Sequence, residues 1–135
     1  MSVKSPSFSN KASEFVYVRT YSRWLEDLVR RETWAETVER YLTFVVKHRG
    51  DKIPKKVIKK MREEMLNFNV MPSMRALWAA GPAAEADNLV LYNCSYSNID
   101  SIESFSECLY ILMCGAGFGF SVAKENVDKL PSVPA

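Results

Sequence analysis

Histidine is almost missing from this 135-residue chain. His48 is the one imidazole, and the three cysteines, Cys94, Cys108 and Cys114, form no Cys-x-x-Cys pair. That excludes the usual metal constellations, which cluster thiolates and imidazoles at short spacing. Cys108 and Cys114 stand six apart in a helical stretch, so they face different sides and share neither a metal nor a disulfide; both read as small buried apolar residues. An odd cysteine count without a secretory leader predicts a reducing, cytoplasmic setting. Long apolar runs are lacking too. The longest uncharged stretch, residues 108–123, covers 16 positions and contains three glycines, whereas a bilayer span needs ~20 apolar residues. No membrane partner is expected. There is no internal repeat and no low-complexity tract.

What is present is an ordinary globular composition: 47% apolar, 12% aromatic and 25% charged residues, enough for one modest core. The net charge of +2 divides into +6 over residues 1–70 and −4 over residues 71–135. A basic half invites a nucleic-acid reading. Its charges are mixed, however, as in Arg30-Arg31-Glu32 and Arg62-Glu63-Glu64, and mixed charges describe a solvated helix face. No direct nucleic-acid binding is expected. The rival to an enzyme is a non-catalytic helical module that binds protein or nucleic acid through Lys55, Lys56, Lys59 and Lys60, with salt-sensitive affinity.

Residues 1–12 are polar and read as a flexible tail. Residues 13–70 read as helical. Thr33-Trp34-Ala35-Glu36 is a capping-box pattern, followed by Trp34, Val38, Tyr41, Leu42 and Val45 on one helical face that ends near Gly50. Upstream, residues 17–31 predict a separate short helix carrying Trp24, Leu25 and Leu28. Pro54 suits the opening of another helix, which buries Val57, Ile58, Met61 and Met65. From residue 71 the texture changes. Pro72 interrupts, one helical turn follows at residues 77–80, and Gly81-Pro82 breaks it. Residues 89–92 read as a strand with Cys94 at its end, and Asn98-Ile99-Asp100 as a turn. A helix capped by Asp100 or Ser101 then turns Phe105, Leu109, Leu112 and Met113 inward, ends at Gly115, and gives way to a strand over residues 118–124. Two strands by themselves are marginal, and the ending at residues 130–135 is neither a cap nor a charged tail, so a segment of a longer chain is expected.

Two features bear on chemistry. Gly115-Ala116-Gly117-Phe118-Gly119 has a helix before it and a strand after it, the reverse of a dinucleotide-binding fingerprint. It predicts a helix cap and a place where backbone approaches something closely. Cys94 lies between the polar Asn93 and Ser95 at a strand end, where a thiol is open to a substrate or redox partner.

Tyr21-Ser22-Arg23-Trp24 with Arg31-Glu32-Thr33-Trp34, then Met71-Pro72-Ser73-Met74-Arg75, Tyr92-Asn93-Cys94-Ser95, and the stretch from Leu109 through Gly115-Ala116-Gly117-Phe118-Gly119 to Val122 follow one another as in a known family. The chain resembles the N-terminal part of the adenosylcobalamin-dependent (class II) ribonucleoside-triphosphate reductases from about Tyr17 to Pro131. The resemblance implies an α/β fold, in which an N-terminal helical region leads into the first strand and helix of a ten-stranded barrel, with residues 71–135 as the start of that barrel. It implies a thiyl-radical reduction of ribonucleoside triphosphates for DNA synthesis, with Cys94 as the first of two reducing cysteines. It also implies that Ser73, Asn93 and Gly117 line the substrate site and that Asp100-Ser101 contacts a deoxynucleoside triphosphate effector. Relatives often show Thr just before the proline, where this chain has Met71. The adenosylcobalamin site, the radical cysteine and the second reducing cysteine are not in this segment. Partners implied are the remainder of the reductase chain and a thioredoxin-type reductant, and the segment alone is expected to be inactive.

Overall fold

Asn10 starts the first helix in the structure, a computed structural model that describes residues 8–132. Its side chain accepts a hydrogen bond from the Ser13 amide at 2.8 Å, and α1 runs over Lys11–Thr20. Of the tail expected at residues 1–12, residues 1–7 lie outside the described residues. The rest departs from the expectation: Phe8 stacks on Tyr17 with ring centroids 4.9 Å apart and meets Phe68 at 5.0 Å.

The helix expected over residues 17–31 does not form. After Tyr21 the chain enters a tight hairpin, β1 (Trp24–Leu25) against β2 (Arg30–Arg31), antiparallel, with a 3-10 turn at Glu26–Leu28 and Val29 in the left-handed region at φ 48°. Glu32 is the cause. Its amide donates to the Arg23 carbonyl at 2.7 Å, its carbonyl accepts the Ser22 hydroxyl at 2.7 Å, and its carboxylate accepts the Arg23 amide at 3.2 Å. Three bonds across nine or ten residues outweigh a weak local helical preference.

The capping box is present. Glu36 N donates to Thr33 Oγ1 at 3.4 Å, Thr33 N donates to Glu36 Oε2 at 2.7 Å, and α2 follows over Trp34–Arg49. Arg30 forks onto the same carboxylate at 2.8 Å on both oxygens, and with the Thr33 amide it holds the Glu36 carboxyl down to about 2. On the expected face Trp34, Val38 and Leu42 are buried, while Tyr41 and Val45 are half-buried. Pro54 precedes α3, Lys55–Leu66. Met65 alone of its four expected core residues is fully buried; Ile58 and Met61 are half-buried and Val57 is exposed. Trp34 Nε1 donates to the Met65 carbonyl at 3.0 Å, which fixes the tryptophan's polar end inside the core. A short helix, α4 (Met74–Ala79), adds Leu77 to the cluster of Tyr17, Trp34, Val38, Leu42 and Met65.

The chain divides into two compact units at Pro82/Ala83, twelve residues beyond the boundary expected between residues 70 and 71. Leu77 and Ala79, both buried, place α4 with the helices rather than with the strands. Gly81, at φ 109°, makes the turn into α5 (Pro82–Ala86).

In the second unit the strand expected at residues 89–92 is instead a 3-10 turn, Asn88–Leu91, because the Asp87 side chain accepts the Leu89 amide at 2.8 Å and caps it. The strand comes later, as β3 over Cys94–Asn98. It is followed by α6 (Glu103–Met113), β4 (Gly117–Ser121) and α7 (Lys124–Val127). β3 and β4 are parallel, in register from Cys94 opposite Gly117 to Asn98 opposite Ser121. A parallel pair joined by a helix is a strand–helix–strand unit of an α/β fold. The inward face expected for α6 is reversed: Phe105, Leu109, Leu112 and Met113 are exposed, and Ser104, Cys108 and Ile111 are the more covered positions. Small side chains let the helix lie close on the strands.

Candidate active site

Gly115 ends α6 at φ 84°, a value that glycine adopts without strain, and Ala116 is buried just after it. That turn delivers Gly117 opposite Cys94. The Gly117 amide donates to the Asn93 carbonyl at 2.8 Å, and the Ser95 hydroxyl donates to the Gly117 carbonyl at 3.2 Å. A methyl group on Gly117 would stand 3.3 Å from the Asn93 carbonyl oxygen and 3.7 Å from Cys94 Sγ. A side chain there would press on the Asn93 carbonyl, while a methyl would sit at ordinary contact distance from the thiol. The close approach expected of the glycine run is therefore to Asn93 and Cys94.

Cys94 is the first residue of β3, at the opposite end of the strand from Asp100 and Ser101. It is exposed and carries a free thiol. Asn93, Cys94 and Gly117 are thus brought together on adjacent strand starts. Asp100 and Ser101 lie beyond the far end of β3. There Ser101 Oγ accepts the Ser104 amide at 3.3 Å and caps the first turn of α6, while Asp100 pairs with Lys129 at 3.5 Å. The N-cap position of α6 is Ile102, so neither expected candidate occupies it, and Ser101 serves the first turn from one residue further out. Ser73 belongs to the first unit, before α4, where its carbonyl accepts the Leu77 amide at 2.9 Å and its hydroxyl makes no capping bond.

The other thiols differ from Cys94, and they are less buried than expected of small core residues: both are only partly covered. Cys114 Sγ donates to Asp87 Oδ2 at 3.6 Å, and the Tyr110 hydroxyl donates to the same oxygen. Partial burial and then the Asp87 charge push the Cys114 thiol up, and the Asp87 hydrogen bond pushes Tyr110 up to about 12. Cys114 is therefore held protonated, which blunts it as a nucleophile. The one signal for this trio in the sequence is the four-residue spacing of Tyr110 and Cys114, with Asp87 supplied by a distant segment.

His48 packs at a tilt against Phe44, ring centroids 4.5 Å apart, on the exposed end of α2. It is the chain's one imidazole, and its exposed place on the helix surface does not fit a buried cobalt ligand. Lys55, Lys56, Lys59 and Lys60 are exposed on the first turns of α3. Among the described residues, no helix is long and apolar enough to cross a membrane.

The model of the ribonucleotide reductase alpha domain matches residues 1–82, ending where the first compact unit ends. An adenosylcobalamin-dependent ribonucleoside-triphosphate reductase of Lacticaseibacillus paracasei is 33% identical over 150 aligned positions, covering 87% of this chain and 20% of the relative. Its counterpart in Levilactobacillus brevis is 30% identical over the same share of each chain. Among solved structures, a crystal structure of a B-12 dependent (class II) ribonucleotide reductase superposes with a TM-score of 0.68 at 29% identity, covering 89% of this chain and 21% of that one. The chain spans about a fifth of the length of the curated relatives it matches.

Proposed function

This chain belongs to the ribonucleotide reductase family, and from that premise we propose that it supplies one reducing thiol, Cys94, and part of the nucleotide site of an adenosylcobalamin-dependent ribonucleoside-triphosphate reductase. One observation carries the reading: an exposed free thiol opens a parallel strand directly opposite a glycine whose missing side chain leaves room beside the sulfur. A reductant must bring its sulfur to the sugar carbon within bonding reach, and a strand end holds it there more rigidly than a loop.

In the proposed reaction the ribose 2′ carbon–oxygen bond breaks and the hydroxyl leaves as water. A carbon–hydrogen bond forms in its place, and two thiols are oxidised to one disulfide, giving up two electrons and two protons. Cys94 is one of the two. Cys114 is engaged by Asp87 and Cys108 is half-buried within α6, and the second thiol and the radical-bearing cysteine are assigned to the remainder of the reductase chain, as are the other strands of the ten-stranded barrel. A thioredoxin-type reductant in the cytoplasm reopens the disulfide. Adenosylcobalamin serves the whole protein as its radical source. The residues described here do not fit it, and no step at Cys94 is routed through it.

Asn93 and Gly117 border the thiol and line the sugar side of its site; Ser73, in the first unit, is assigned on the family resemblance as a contact to nucleotide phosphate. Asp100 and Ser101, at the far end of β3, meet a deoxynucleoside triphosphate effector. By itself the segment is inactive. The test is Cys94→Ser in the full-length protein with a dithiol reductant: deoxyribonucleotide formation falls by ~10³-fold or more, the scale for loss of an essential catalytic group. Turnover unchanged by that substitution removes Cys94 from the reaction.

A further inference from the structure

The last carbonyls of α4 are satisfied in an unusual way. Ala80 leaves the helix with extended backbone, φ −51° and ψ 130°, so no left-handed glycine closes its end. Arginines do so instead. Arg40 Nη1 donates to the Leu77 carbonyl at 3.2 Å and to the Ala80 carbonyl at 2.8 Å, and Arg23 Nη2 donates to the Trp78 carbonyl. Arg40 Nη2 also donates to the Tyr21 carbonyl at 3.4 Å, and the Tyr21 hydroxyl donates to Met74 Sδ at 3.1 Å, on the first turn of the same helix. Arg40 therefore holds α4 at its C-terminal end directly and at its N-terminal end through Tyr21.

The remaining donors of Arg40 go to Glu32: Nε to Oε1 at 2.8 Å and Nη2 to Oε2 at 3.0 Å. Thr37 Oγ1 donates to the same carboxylate at 2.9 Å, and its own position is set by the Tyr17 hydroxyl at 2.7 Å. With five N–H groups and five acceptors, the guanidinium is fully used, which a lysine with three donors cannot reproduce. Buried ion pairs of this kind seldom add stability over an apolar replacement of equal size. Geometry is what the pair supplies. The element it fixes carries Ser73 at its start, exposed and with a hydroxyl that does not cap the helix, although capping is the usual work of a serine in that place.

We propose that Arg40, oriented by Glu32, is a positioning residue that sets α4 so that the Ser73 hydroxyl meets the phosphates of the ribonucleotide. This rests on the assignment of Ser73 given above. The test uses steady-state kinetics of the full-length protein with a ribonucleoside triphosphate, comparing Arg40→Lys, Ser73→Ala and the double variant. Arg40→Lys raises KM by ~10-fold with kcat kept, because lost ground-state binding appears in KM. Ser73→Ala does the same, and the double variant is no worse than Ser73→Ala. Tyr21→Phe, which removes only the hydroxyl on Met74, raises KM in the same direction by a smaller factor and stands in if Arg40→Lys does not fold. A KM untouched by both Arg40→Lys and Tyr21→Phe, or effects that multiply in the double variant, overturns the positioning role alone. A wild-type protein that turns over no ribonucleotide overturns the functional reading and the positioning role with it.

Discussion

The first unit gathers a set of large apolar side chains into a buried core, although Phe15 and Trp24 stay exposed, whereas in the second unit most of the large apolar side chains are exposed. Trp34, Leu42, Met65 and Leu77 are each no more than 3% exposed, whereas Phe105, Leu109 and Met113 are 55%, 59% and 77% exposed. The second unit buries small residues instead, among them Ala84, Ala116 and Ser104, with Val90 and Ile99. Each large side chain taken out of water contributes about 1.5–3 kcal/mol, so the two units draw very different stability from burial within this chain. The contrast teaches what each is built for. The helical unit encloses its own core. The strand–helix–strand unit presents apolar surface on α6 and on Tyr96 and Phe120 of its strands, as a parallel pair does when it is meant to be covered on both sides.

The sharpest way to break this comparison is to cut the core of the first unit. Leu42→Ala removes a fully buried side chain from α2 and is expected to lower unfolding free energy by ~2–5 kcal/mol in a denaturant titration. A loss below ~1 kcal/mol would mean that the helical core is not the stable part. Gly117→Ala comes next. Its added methyl presses on the Asn93 carbonyl at 3.3 Å, a backbone atom that moves only with the strand, at a cost of ~1–2 kcal/mol. Slower alkylation of Cys94 should accompany it, because the methyl takes up room beside the sulfur. Wild-type alkylation kinetics and stability in this variant would show the approach to be looser than described.

Glu36 gives a smaller and pH-dependent effect. Its carboxyl is held at about 2 in the folded chain against an ordinary 4.5. A lowered folded value stabilises above the unfolded value and is lost as pH falls toward the folded one. Stability is therefore shed between about pH 4.5 and pH 2. The pair is well exposed, so the whole contribution is only ~0.5–1 kcal/mol, and Glu36→Gln should flatten that part of the pH profile. An unaltered profile would assign the acid loss to other carboxylates. The smallest effect is expected from Leu109→Ser on α6. An exposed position changes the stability of this chain by no more than ~0.5 kcal/mol, while in the full-length protein the same change should cost several times more if α6 is covered there. Equal effects in both settings would end the contrast between the units.

Much of the first unit was legible from local chemistry. Thr33 with Glu36 marked the start of α2, Pro54 the start of α3, and Trp34, Val38 and Leu42 the buried stripe, because capping and helical period act within one or two turns. At the candidate site, Cys94 and Gly117 stood out by their neighbours, yet nothing local said that they would lie opposite each other. That follows from the parallel register of β3 and β4, which pairs residues 23 positions apart. The hairpin at Trp24–Arg31 was illegible for the same reason: Glu32, outside the stretch, holds it. The direction of α6 was misread because period alone finds the apolar stripe without saying whether that stripe is covered.

Local chemistry fixes the capped helices, the glycine that ends α6 and a thiol set among polar neighbours. These depend on backbone conformations and side chains a few residues apart. Long-range packing is what makes Arg40 bind Glu32, Tyr21, Leu77 and Ala80 together, sets Asp87 against Cys114, and brings Cys94 opposite Gly117. Each of those is a meeting of segments distant along the chain, selected by packing and by the requirement that buried polar groups find partners.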